Sequence, residues 1–412
     1  MKPMQVGLLG IGTVGGGTFR VLSRNREEIT RRAGREIRIA MVADKATDRA
    51  RELVGNNAEV VDDAMKVITN PNIDIVVELI GGYSPAKEFV LKAIANGKHV
   101  VTANKALLAT HGNEIFAAAQ KAGVMVAFEA AVAGGVPIIK ALREGLTANR
   151  IEWIAGIING TSNFILSEMR SKGKSFDEVL KEAQRLGYAE ADPTFDIEGI
   201  TKLTKEDIEY AEELGYRIKL IGMTRRSVVN GKTGIELRVH PTLIPAKRLI
   251  ANVEGVMNAV LVKGDAVGAT LYYGAGAGAE PTASAVVADL VDITRMHTAD
   301  PEQRVPHLAF QPDQLADTPI LAMGEVTTSY YLRMRVKDQP GVLADVTRVL
   351  ADNNISIDAM VQKEPAEGVD QVDIIMLTHR AVESLVNIAI AKIESLPVLL
   401  GKVTRIRLEE LN

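Results

Sequence analysis

The chain has 412 residues, too many for one compact hydrophobic core, so two or three domains are expected. Its formal net charge is -4 and it has no apolar stretch long enough to cross a bilayer, so neither nucleic acid nor a membrane is expected as a partner. Cysteine is absent, which excludes disulfides, thiolate metal sites and cysteine nucleophiles and fits a cytoplasmic location.

The first predicted element is a short apolar strand that runs into a glycine cluster. Residues 6–9 are apolar, and the spacing Gly10-x-Gly12-x-x-Gly15 comes before a segment with helical periodicity. This is the dinucleotide-binding fingerprint in its strand–turn–helix setting. Gly10 allows the tight turn, Gly12 lets the backbone approach a pyrophosphate, and Gly15 lets helix and strand lie close together. The pattern therefore predicts a dinucleotide bound at the start of the helix.

The second predicted strand, residues 37–42, ends near Asp44. In a dinucleotide-binding fold an acidic residue at this place accepts a hydrogen bond from the adenosine ribose, whereas basic residues favour a 2′-phosphate. Lys45 and Arg49 follow at once, so both NAD and NADP remain possible coenzymes. A third interpretation is that Asp44 only caps the next helix.

Strands and helices alternate through about residue 130. Apolar strands are predicted at 73–80, 99–102 and 124–128, with a helix over 85–96. This alternation is typical of a doubly wound parallel sheet, so residues 1–130 are predicted to form a Rossmann-like dinucleotide-binding domain.

The pattern changes after residue 130. Strands are predicted at 154–158, 234–239 and 259–262, and helices at 164–169, 175–186 and 282–293. Residues 131–320 are therefore predicted to form a mixed α+β domain, and the proline-containing stretch 296–327 a linker. Beyond it, residues 328–408 follow the order βαββαβ of a ferredoxin-like domain.

Several strings in this order closely resemble homoserine dehydrogenases that have a C-terminal ACT domain. The resemblance covers nearly the whole chain and rests on GLLGIGTVG, HVVTANKALLA, FEAAVAGGVPII, NGTSNFIL, GYAEADPTFDIEG, HPTLIP, YYGAGAGAEPTASAV and the DQPGVL turn. It implies a homo-oligomeric enzyme that transfers a hydride between NAD(P)H and aspartate semialdehyde, giving homoserine on the route to threonine and methionine.

The resemblance also implies roles for individual residues. Lys105, in the TANK string, would lie near nicotinamide and substrate, where a cation stabilises charge on the carbonyl oxygen. Glu190 would bind the substrate ammonium group, and Asp196 would support that pocket. The implied coenzyme contacts are Gly10, Gly12, Thr13, Val14, Gly15, Asp44, Lys105 and Gly278.

A monovalent cation, usually sodium, is a further property that the resemblance implies. Its ligands would be the Glu129 carboxylate and the backbone carbonyls of Val132, Gly134 and Val136. Oxygen ligands suit a hard cation. The alternative is a glycine-rich structural turn in which Glu129 makes hydrogen bonds.

The chain departs from the family after the DPTFDIEG string. Family members continue with G-x-D-A-A-x-K on a long apolar helix, whereas here residues 196–200 run directly into 201–208, as if two EGI strings were fused. The family's catalytic aspartate would fall on Thr201, which has no carboxylate, and its catalytic lysine on Lys205. Lys205 is therefore the candidate proton donor, the alternative being a surface residue of the following helix.

Two main functional hypotheses follow, and a dehydrogenase acting on a different small amino acid or aldehyde is a third that the complete string around Glu190 disfavours. In the first, the chain is an active homoserine dehydrogenase whose ACT domain binds a pathway product such as threonine through Asp338, Gly341, Val342, Asn353 and Ile355. In the second, it is a catalytically impaired, amino-acid-sensing dimer that retains the nucleotide fold. For the ACT domain alone, dimerisation without a ligand is also possible.

Overall fold

The structure is a computed structural model that describes residues 2–189, 197, 199–229, 231–364, 368 and 370–412. The chain forms two compact units, one of Met1–Asn149 with Tyr272–Ala316 and one of Arg150–Leu271 with Asp317–Asn412. These units join segments by contact rather than by chain order, so residues 131–149 group with the nucleotide fold. The division into domains of 1–130, 131–320 and 328–408 stays a prediction.

The first 149 residues alternate between strands and helices. In chain order these are β1 (Met4–Leu9), α1 (Thr13–Arg24), α2 (Arg26–Ala33), β2 (Ile37–Ala43), α3 (Thr47–Val54), β3 (Glu59–Val61), α4 (Ala64–Ile68), β4 (Ile75–Glu78), α5 (Ala86–Ala95), β5 (His99–Thr102), α6 (Lys105–Ala122), β6 (Val126–Ala127) and α7 (Ile138–Lys140), which a π-helical turn continues to Gly145.

The rest of the chain is richer in long strands. It contains β7 (Ile151–Ile157), α8 (Gly160–Lys172), α9 (Phe176–Arg185), α10 (Lys205–Glu213), β8 (Tyr216–Val229), β9 (Lys232–Pro245), β10 (Met257–Gly264), β11 (Gly268–Ala275), α11 (Ala279–Met296), β12 (Thr327–Lys337), α12 (Val342–Asp352), β13 (Ile357–Gln362), β14 (Gln371–Thr378), β15 (Ala381–Val382), α13 (Glu383–Glu394) and β16 (Thr404–Leu408). None of the helices among the described residues is long and apolar enough to cross a membrane.

The first unit contains a parallel six-stranded sheet in the order β3-β2-β1-β4-β5-β6. Two apolar cores pack against it, one including α1 and α11 and the other including α5 and α6. This order reverses direction between β1 and β4, which is the switch point where doubly wound folds bind their ligands. The structure thus confirms the predicted doubly wound fold.

A second sheet runs in the order β11-β10-β7-β8-β9-β16-β12-β14-β13. Its last four strands, together with α12 and α13, form the predicted ferredoxin-like arrangement. A short parallel pairing, Arg407 with Thr242 and Leu408 with Leu243, joins β16 to β9. The mixed sheet and the ferredoxin-like sheet are therefore one continuous sheet in this unit.

Two buried ion clusters hold this long sheet together. Asp207 of α10 is fully buried and accepts hydrogen bonds from Arg333 Nε at 2.6 Å and Arg333 Nη2 at 3.0 Å. The hydroxyl of Tyr331 donates to the same carboxylate at 3.1 Å. In the second cluster Arg238 of β9 donates to Glu409 at 2.6 Å and to Glu236 at 3.0 Å. Both clusters connect residues that are far apart in the sequence.

Two histidine rings accept hydrogen bonds from backbone amides at the edge strand β6, one just before the strand and one within it. The His99 Nδ1 atom accepts from the Met125 N–H at 2.9 Å, and the His307 Nε2 atom accepts from the Val126 N–H at 3.0 Å. A ring nitrogen accepts a hydrogen bond only when it carries no proton. Burial accordingly lowers the pKa of each ring to about 4. Both rings are therefore held in the neutral form.

We expect acid to destabilise this part of the fold. Between about pH 6.5 and pH 4 the unfolded chain binds protons at these rings and the folded chain does not, so the stability present above pH 6.5 falls with pH. Each ring contributes at most about 3 kcal/mol to this loss. In His307→Gln the glutamine amide oxygen can accept the hydrogen bond from the Val126 N–H and does not titrate. The melting temperature of this variant should therefore fall less between pH 7 and pH 4.5 than that of the parent chain. The same substitution at exposed His379 should leave the slope unchanged, and an unchanged slope in His307→Gln would contradict the expectation.

Candidate active site

The glycine turn lies at the carboxyl end of β1, at the switch point of the parallel sheet. Gly10 has a φ of +90°, which favours glycine, and leads into α1. A Cβ added at Gly15 would lie 2.1 Å from the Gly10 carbonyl oxygen, whereas one added at Gly12 would meet no atom within 4 Å. Gly15 thus permits close packing within the turn, and Gly12 borders open space. Because Gly12 has no side chain to cap α1, the first amides of the helix, including those of Thr13 and Val14, are left for an anionic ligand.

Asp44 lies beside this turn. Its Oδ2 atom accepts from the Ile11 N–H at 2.7 Å, and its Oδ1 atom accepts from the Ala46 N–H at 2.8 Å. Ala46 is the N-cap residue of α3, which begins at Thr47, so the second contact of Asp44 lies at the start of that helix. Asp44 therefore links the end of β2 to the glycine turn.

Lys105 is the exposed first residue of α6, directly after β5. Its loop is fixed by neighbours that the sequence analysis did not single out. The Asn104 side chain accepts from the Leu107 N–H at 3.1 Å and donates to the Gly82 carbonyl at 2.7 Å. The Asn104 N–H donates to the Thr102 hydroxyl at 3.0 Å.

The Thr102 hydroxyl in turn donates to Glu78 at 2.7 Å. Glu78 ends β4, is fully buried, and also accepts from the amides of Ile80 and Gly81. Glu78, Thr102 and Asn104 thus form a continuous hydrogen-bonded chain that holds the ends of β4 and β5 beside each other. A single carboxylate in an otherwise apolar strand is the sequence signal that could have revealed Glu78.

Gly278 precedes α11 with a φ of +122°. The next residue, Ala279, contacts α1 closely, because a Cβ added at Gly17 would lie 2.3 Å from the Ala279 carbonyl oxygen. Gly278 is therefore positioned near the helix that follows the glycine turn.

Glu129 is buried and supports a helix start. Its two carboxylate oxygens accept from the amides of Ile139 at 2.8 Å and Lys140 at 2.7 Å. Burial raises the pKa of the Glu129 carboxyl. Its own N–H donates to Asp289 at 2.9 Å, and burial together with the charge of Glu129 raises the pKa of Asp289 well above its usual range. These contacts match the structural alternative for Glu129.

The loop that carries this implied cation site is shaped by glycine. Gly134 has a φ of +55°, and a Cβ there would lie 2.1 Å from the Gly276 carbonyl oxygen. The Val136 N–H donates to the Ala133 carbonyl at 3.0 Å, and Val132 is partly exposed. In the part of the chain that the structure describes, no cluster of three or more His, Asp or Glu side chains could hold a metal. Any ion here would thus depend on backbone carbonyls as well as Glu129.

In the second unit, the start of α8 is tied to a buried lysine. Lys219 Nζ is 3.1 Å from Asn163 Oδ1 and 2.5 Å from the Val253 carbonyl, and burial lowers the pKa of Lys219 to about 8. Thr161 donates to the Tyr188 carbonyl at 2.6 Å, just before the acidic loop. Glu190 and Asp196, the implied substrate contacts, lie outside the described residues.

Lys205 is the first residue of α10 and is half-exposed. Its Nζ atom forms an i,i+4 ion pair with Glu209 at 3.3 Å. Its Cε atom lies 3.5 Å from the position of a Cβ on Gly173, which ends α8. The thirteen residues of α8 span about 20 Å, so Lys205 is far from the start of that helix. This placement matches the alternative interpretation of Lys205 as a surface residue.

The fold and the glycine turn at its switch point define the class of the protein as dinucleotide-binding. Three sequence profiles match the chain: "Homoserine dehydrogenase, NAD binding domain" at residues 10–129, "Homoserine dehydrogenase" at 137–201 and 197–291, and "ACT domain" at 330–398. The chain belongs to the homoserine dehydrogenase family, as its sequence motifs predicted.

Individual relatives agree with this assignment. The homoserine dehydrogenases of Pseudomonas aeruginosa and Methylobacillus glycogenes are each 58% identical, and each alignment covers 100% of both chains. The crystal structure of a homoserine dehydrogenase from Thiobacillus denitrificans is 68% identical, with a TM-score of 0.94 over 100% of this chain and 99% of that one. The chain is thus an oxidoreductase with a nicotinamide-dinucleotide-binding domain and an ACT domain.

Proposed function

We propose that the chain interconverts L-homoserine and L-aspartate 4-semialdehyde with NAD or NADP, in threonine and methionine biosynthesis. One observation carries this proposal: three loops with candidate site residues lie at the same edge of one sheet. The glycine turn follows β1, the Glu78 turn follows β4, and the Lys105 loop follows β5, and these three strands are neighbours. A dinucleotide at the glycine turn would extend its reactive end toward Lys105. The location in the cytoplasm stays a prediction.

The proposed chemistry needs charge control at the substrate carbonyl. When bound, the reduced coenzyme supplies a hydride to the carbonyl carbon. Lys105 stabilises the negative charge that develops on the carbonyl oxygen, and a proton delivered to that oxygen, for which Lys205 is the candidate donor, completes the alcohol. Glu190 would bind the substrate ammonium group, and Asp196 would support it. Gly10, Gly12, Thr13, Val14, Gly15, Asp44 and Gly278 are the proposed coenzyme contacts.

Removing Lys105 tests this proposal. We expect Lys105→Ala to lower kcat/KM for homoserine oxidation by about 100-fold or more, because one preorganised charge-stabilising group is typically worth that factor. Coenzyme affinity should also fall, because Lys105 is an implied coenzyme contact, but by much less than kcat/KM, since the glycine turn remains intact. The control is Lys121→Ala, in the last turn of the same helix, which should leave both quantities unchanged. Turnover is followed by absorbance of the reduced nicotinamide, and a Lys105→Ala enzyme as active as the parent would contradict the role.

A second candidate function is a coenzyme-binding, amino-acid-sensing protein with impaired catalysis. Two observations favour it. The two matches to the homoserine dehydrogenase profile overlap at residues 197–201, where the chain lacks the family's G-x-D-A-A-x-K string. Lys205, the proposed proton donor, is half-exposed and paired with Glu209. Coenzyme binding without turnover in either direction would support this candidate over the first.

Whether Lys205 donates the proton can be tested separately from the choice between the two candidate functions. A proton donor implies a fall of about 10²- to 10⁴-fold in kcat for Lys205→Ala. A surface residue implies no change, as for Glu209→Ala, which removes the other half of the same ion pair. Measuring both variants beside each other decides between the two interpretations.

We also propose two regulatory or structural ligands that the family resemblance implies. A sodium ion would bind the Glu129 carboxylate and the carbonyls of Val132, Gly134 and Val136. The fixed orientation of Glu129 by two amides supports this.

At the ACT domain an amino acid such as threonine would bind a homo-oligomer near Asp338, Gly341, Val342, Asn353 and Ile355. The left-handed φ of +95° at Gly341, before α12, is the kind of tight turn that brings backbone amides toward a ligand.

A further inference from the structure

Three buried polar side chains lie next to Lys105 at the carboxyl edge of the parallel sheet. Glu78, Thr102 and Asn104 are 0%, 0% and 6% exposed, and hydrogen bonds join them in that order. We call these three residues the polar chain. Burying polar groups costs free energy that apolar side chains would not cost, so their presence here needs a reason beyond packing.

The sheet itself pairs without the polar chain. Glu78 and Thr102 are the last paired residues of β4 and β5, and the backbone pairing of these strands begins at Ile75 with His99. Apart from the bond between Glu78 and Thr102, the partners of the polar chain lie beyond the paired strands. These partners are the amides of Ile80, Gly81, Asn104 and Leu107 and the carbonyl of Gly82. The polar chain therefore fixes the two loops that follow the strands.

The carboxylate at one end sets the direction of the hydrogen bonds. A carboxylate only accepts hydrogen bonds, so the Thr102 hydroxyl donates to Glu78 Oε2 at 2.7 Å. The same hydroxyl oxygen accepts from the Asn104 N–H at 3.0 Å. Because one arrangement of donors and acceptors satisfies all of these groups, the loop that carries Asn104 has one defined position.

Lys105 takes its position from this loop. It is exposed, and its side chain forms no hydrogen bond or ion pair with any residue that the structure describes. A lysine side chain is a flexible four-carbon stem, so the fixed part of this residue is its backbone. That backbone directly follows Asn104, whose side chain caps α6. The polar chain thus determines the point from which the Lys105 ammonium group extends.

The turn after Glu78 also contacts the glycine turn. A Cβ added at Gly10 would lie 2.9 Å from the Leu79 carbonyl oxygen, and the Leu79 N–H donates to the Leu9 carbonyl at 2.9 Å. Leu79 lies between Glu78 and Ile80, whose amide donates to the Glu78 carboxylate. The glycine turn and the Lys105 loop are therefore both attached to one turn, which fixes their separation.

We propose that the polar chain positions Lys105 relative to the coenzyme site for hydride transfer. This inference rests on the proposed function, in which Lys105 stabilises charge on the substrate carbonyl oxygen. Glu78, Thr102 and Asn104 act through Lys105 and are positioning residues. A misplacement of about 1 Å at a reacting centre can cost up to about 100-fold in rate, so loosening the polar chain lowers kcat.

Replacing the central hydroxyl tests the proposal. Thr102→Val keeps the shape of the side chain, and kcat for homoserine oxidation should fall about ten-fold or more. The dissociation constant of the reduced coenzyme should change much less. Thr102→Ser, which keeps the hydroxyl, should retain most of the parent kcat. The control is Thr294→Val, which removes another buried hydroxyl of the same unit, one that donates to the Leu290 carbonyl, and should leave kcat unchanged.

A double-mutant cycle with Lys105 separates positioning from support of the fold. If Thr102 acts through Lys105, Thr102→Val should lower kcat little further in a Lys105→Ala chain, because the two effects are coupled. The same fold-loss in both backgrounds overturns the proposal, and so does an unchanged kcat in Thr102→Val alone. Full activity of Lys105→Ala overturns the proposal together with the proposed role of Lys105.

A second variant keeps the test decisive if Thr102→Val does not fold. Asn104→Ser retains a hydroxyl that can cap α6 and removes the donor to the Gly82 carbonyl. It should lower kcat in the parent chain and add little to the loss in Lys105→Ala. Additive losses in this pair of variants also overturn the proposal.

Discussion

Asp207→Ala is expected to lower the free energy of unfolding of the second unit by about 3–5 kcal/mol, the usual result of leaving one charge of a buried pair without its partner. Asp207 is fully buried and accepts from both nitrogens of Arg333 and from the Tyr331 hydroxyl. Burial opposes the charge on Arg333, but the hydrogen bonds and charge of Asp207 outweigh it and raise the pKa of that guanidinium. Without Asp207, the desolvation cost remains and the compensation is lost.

The chain offers a convenient measurement and a matched control. Its single tryptophan, Trp153, is buried in the same unit, so its fluorescence during urea unfolding reports on that unit. Glu209→Ala removes an exposed ion pair from the same helix and should change stability by less than about 0.5 kcal/mol. A loss below about 1 kcal/mol in Asp207→Ala would show that the buried cluster is not a major support of the fold.

The second large effect concerns alanine substitutions of two glycines in the glycine turn. One should impair both stability and coenzyme binding, and the other coenzyme binding alone. In Gly15→Ala the new Cβ meets the Gly10 carbonyl at 2.1 Å, so the backbone of the turn must move. We expect a loss of several kcal/mol in stability and coenzyme binding weakened beyond detection. In Gly12→Ala the Cβ meets no protein atom within 4 Å, so stability should be nearly unchanged. Coenzyme affinity should still fall at least ten-fold, because the methyl group occupies the place of the pyrophosphate.

Thermal unfolding and the fluorescence of bound reduced coenzyme measure the two quantities separately. Gly145→Ala is the control, since its Cβ also meets nothing within 4 Å and it lies outside the turn. If Gly12→Ala binds coenzyme as tightly as the parent chain, the assignment of the coenzyme to this turn is wrong.

The sequence predicted the glycine turn and the parallel sheet around it because their signals are local. An apolar strand, a glycine turn and a periodic helix occupy consecutive residues from Met4 to Arg24. By contrast β8, fourteen residues long, was missed. Its apolar alternation is interrupted by Lys219, Arg225 and Arg226, and the groups that accommodate the buried Lys219 are 34 and 56 residues away. A charge that is satisfied by distant partners looks like a surface residue in the sequence.

The same distinction applies to the candidate site. The spacing of Gly10, Gly12 and Gly15 was sufficient to predict the turn, which the structure places at the switch point. The hydrogen-bonded chain from Glu78 through Thr102 to Asn104 was not predicted, because it joins two loops that become neighbours only when β4 and β5 pair. For Asp44 the sequence allowed a ribose contact or a helix cap, and the hydrogen bond to Ile11 showed a link to the turn that neither interpretation included.

The pairing of β16 with β9 means that the ACT domain is not a removable attachment. Cutting the chain before Thr327 would leave the outer edge of β9 without its partner strand, and would also take away Glu409, the carboxylate nearest to the buried Arg238. A truncated protein would thus expose an open strand edge beside an uncompensated internal charge, a combination that promotes self-association. Deleting the ACT domain would therefore yield aggregates, whereas point substitutions in the loop around Gly341 would leave the sheet intact.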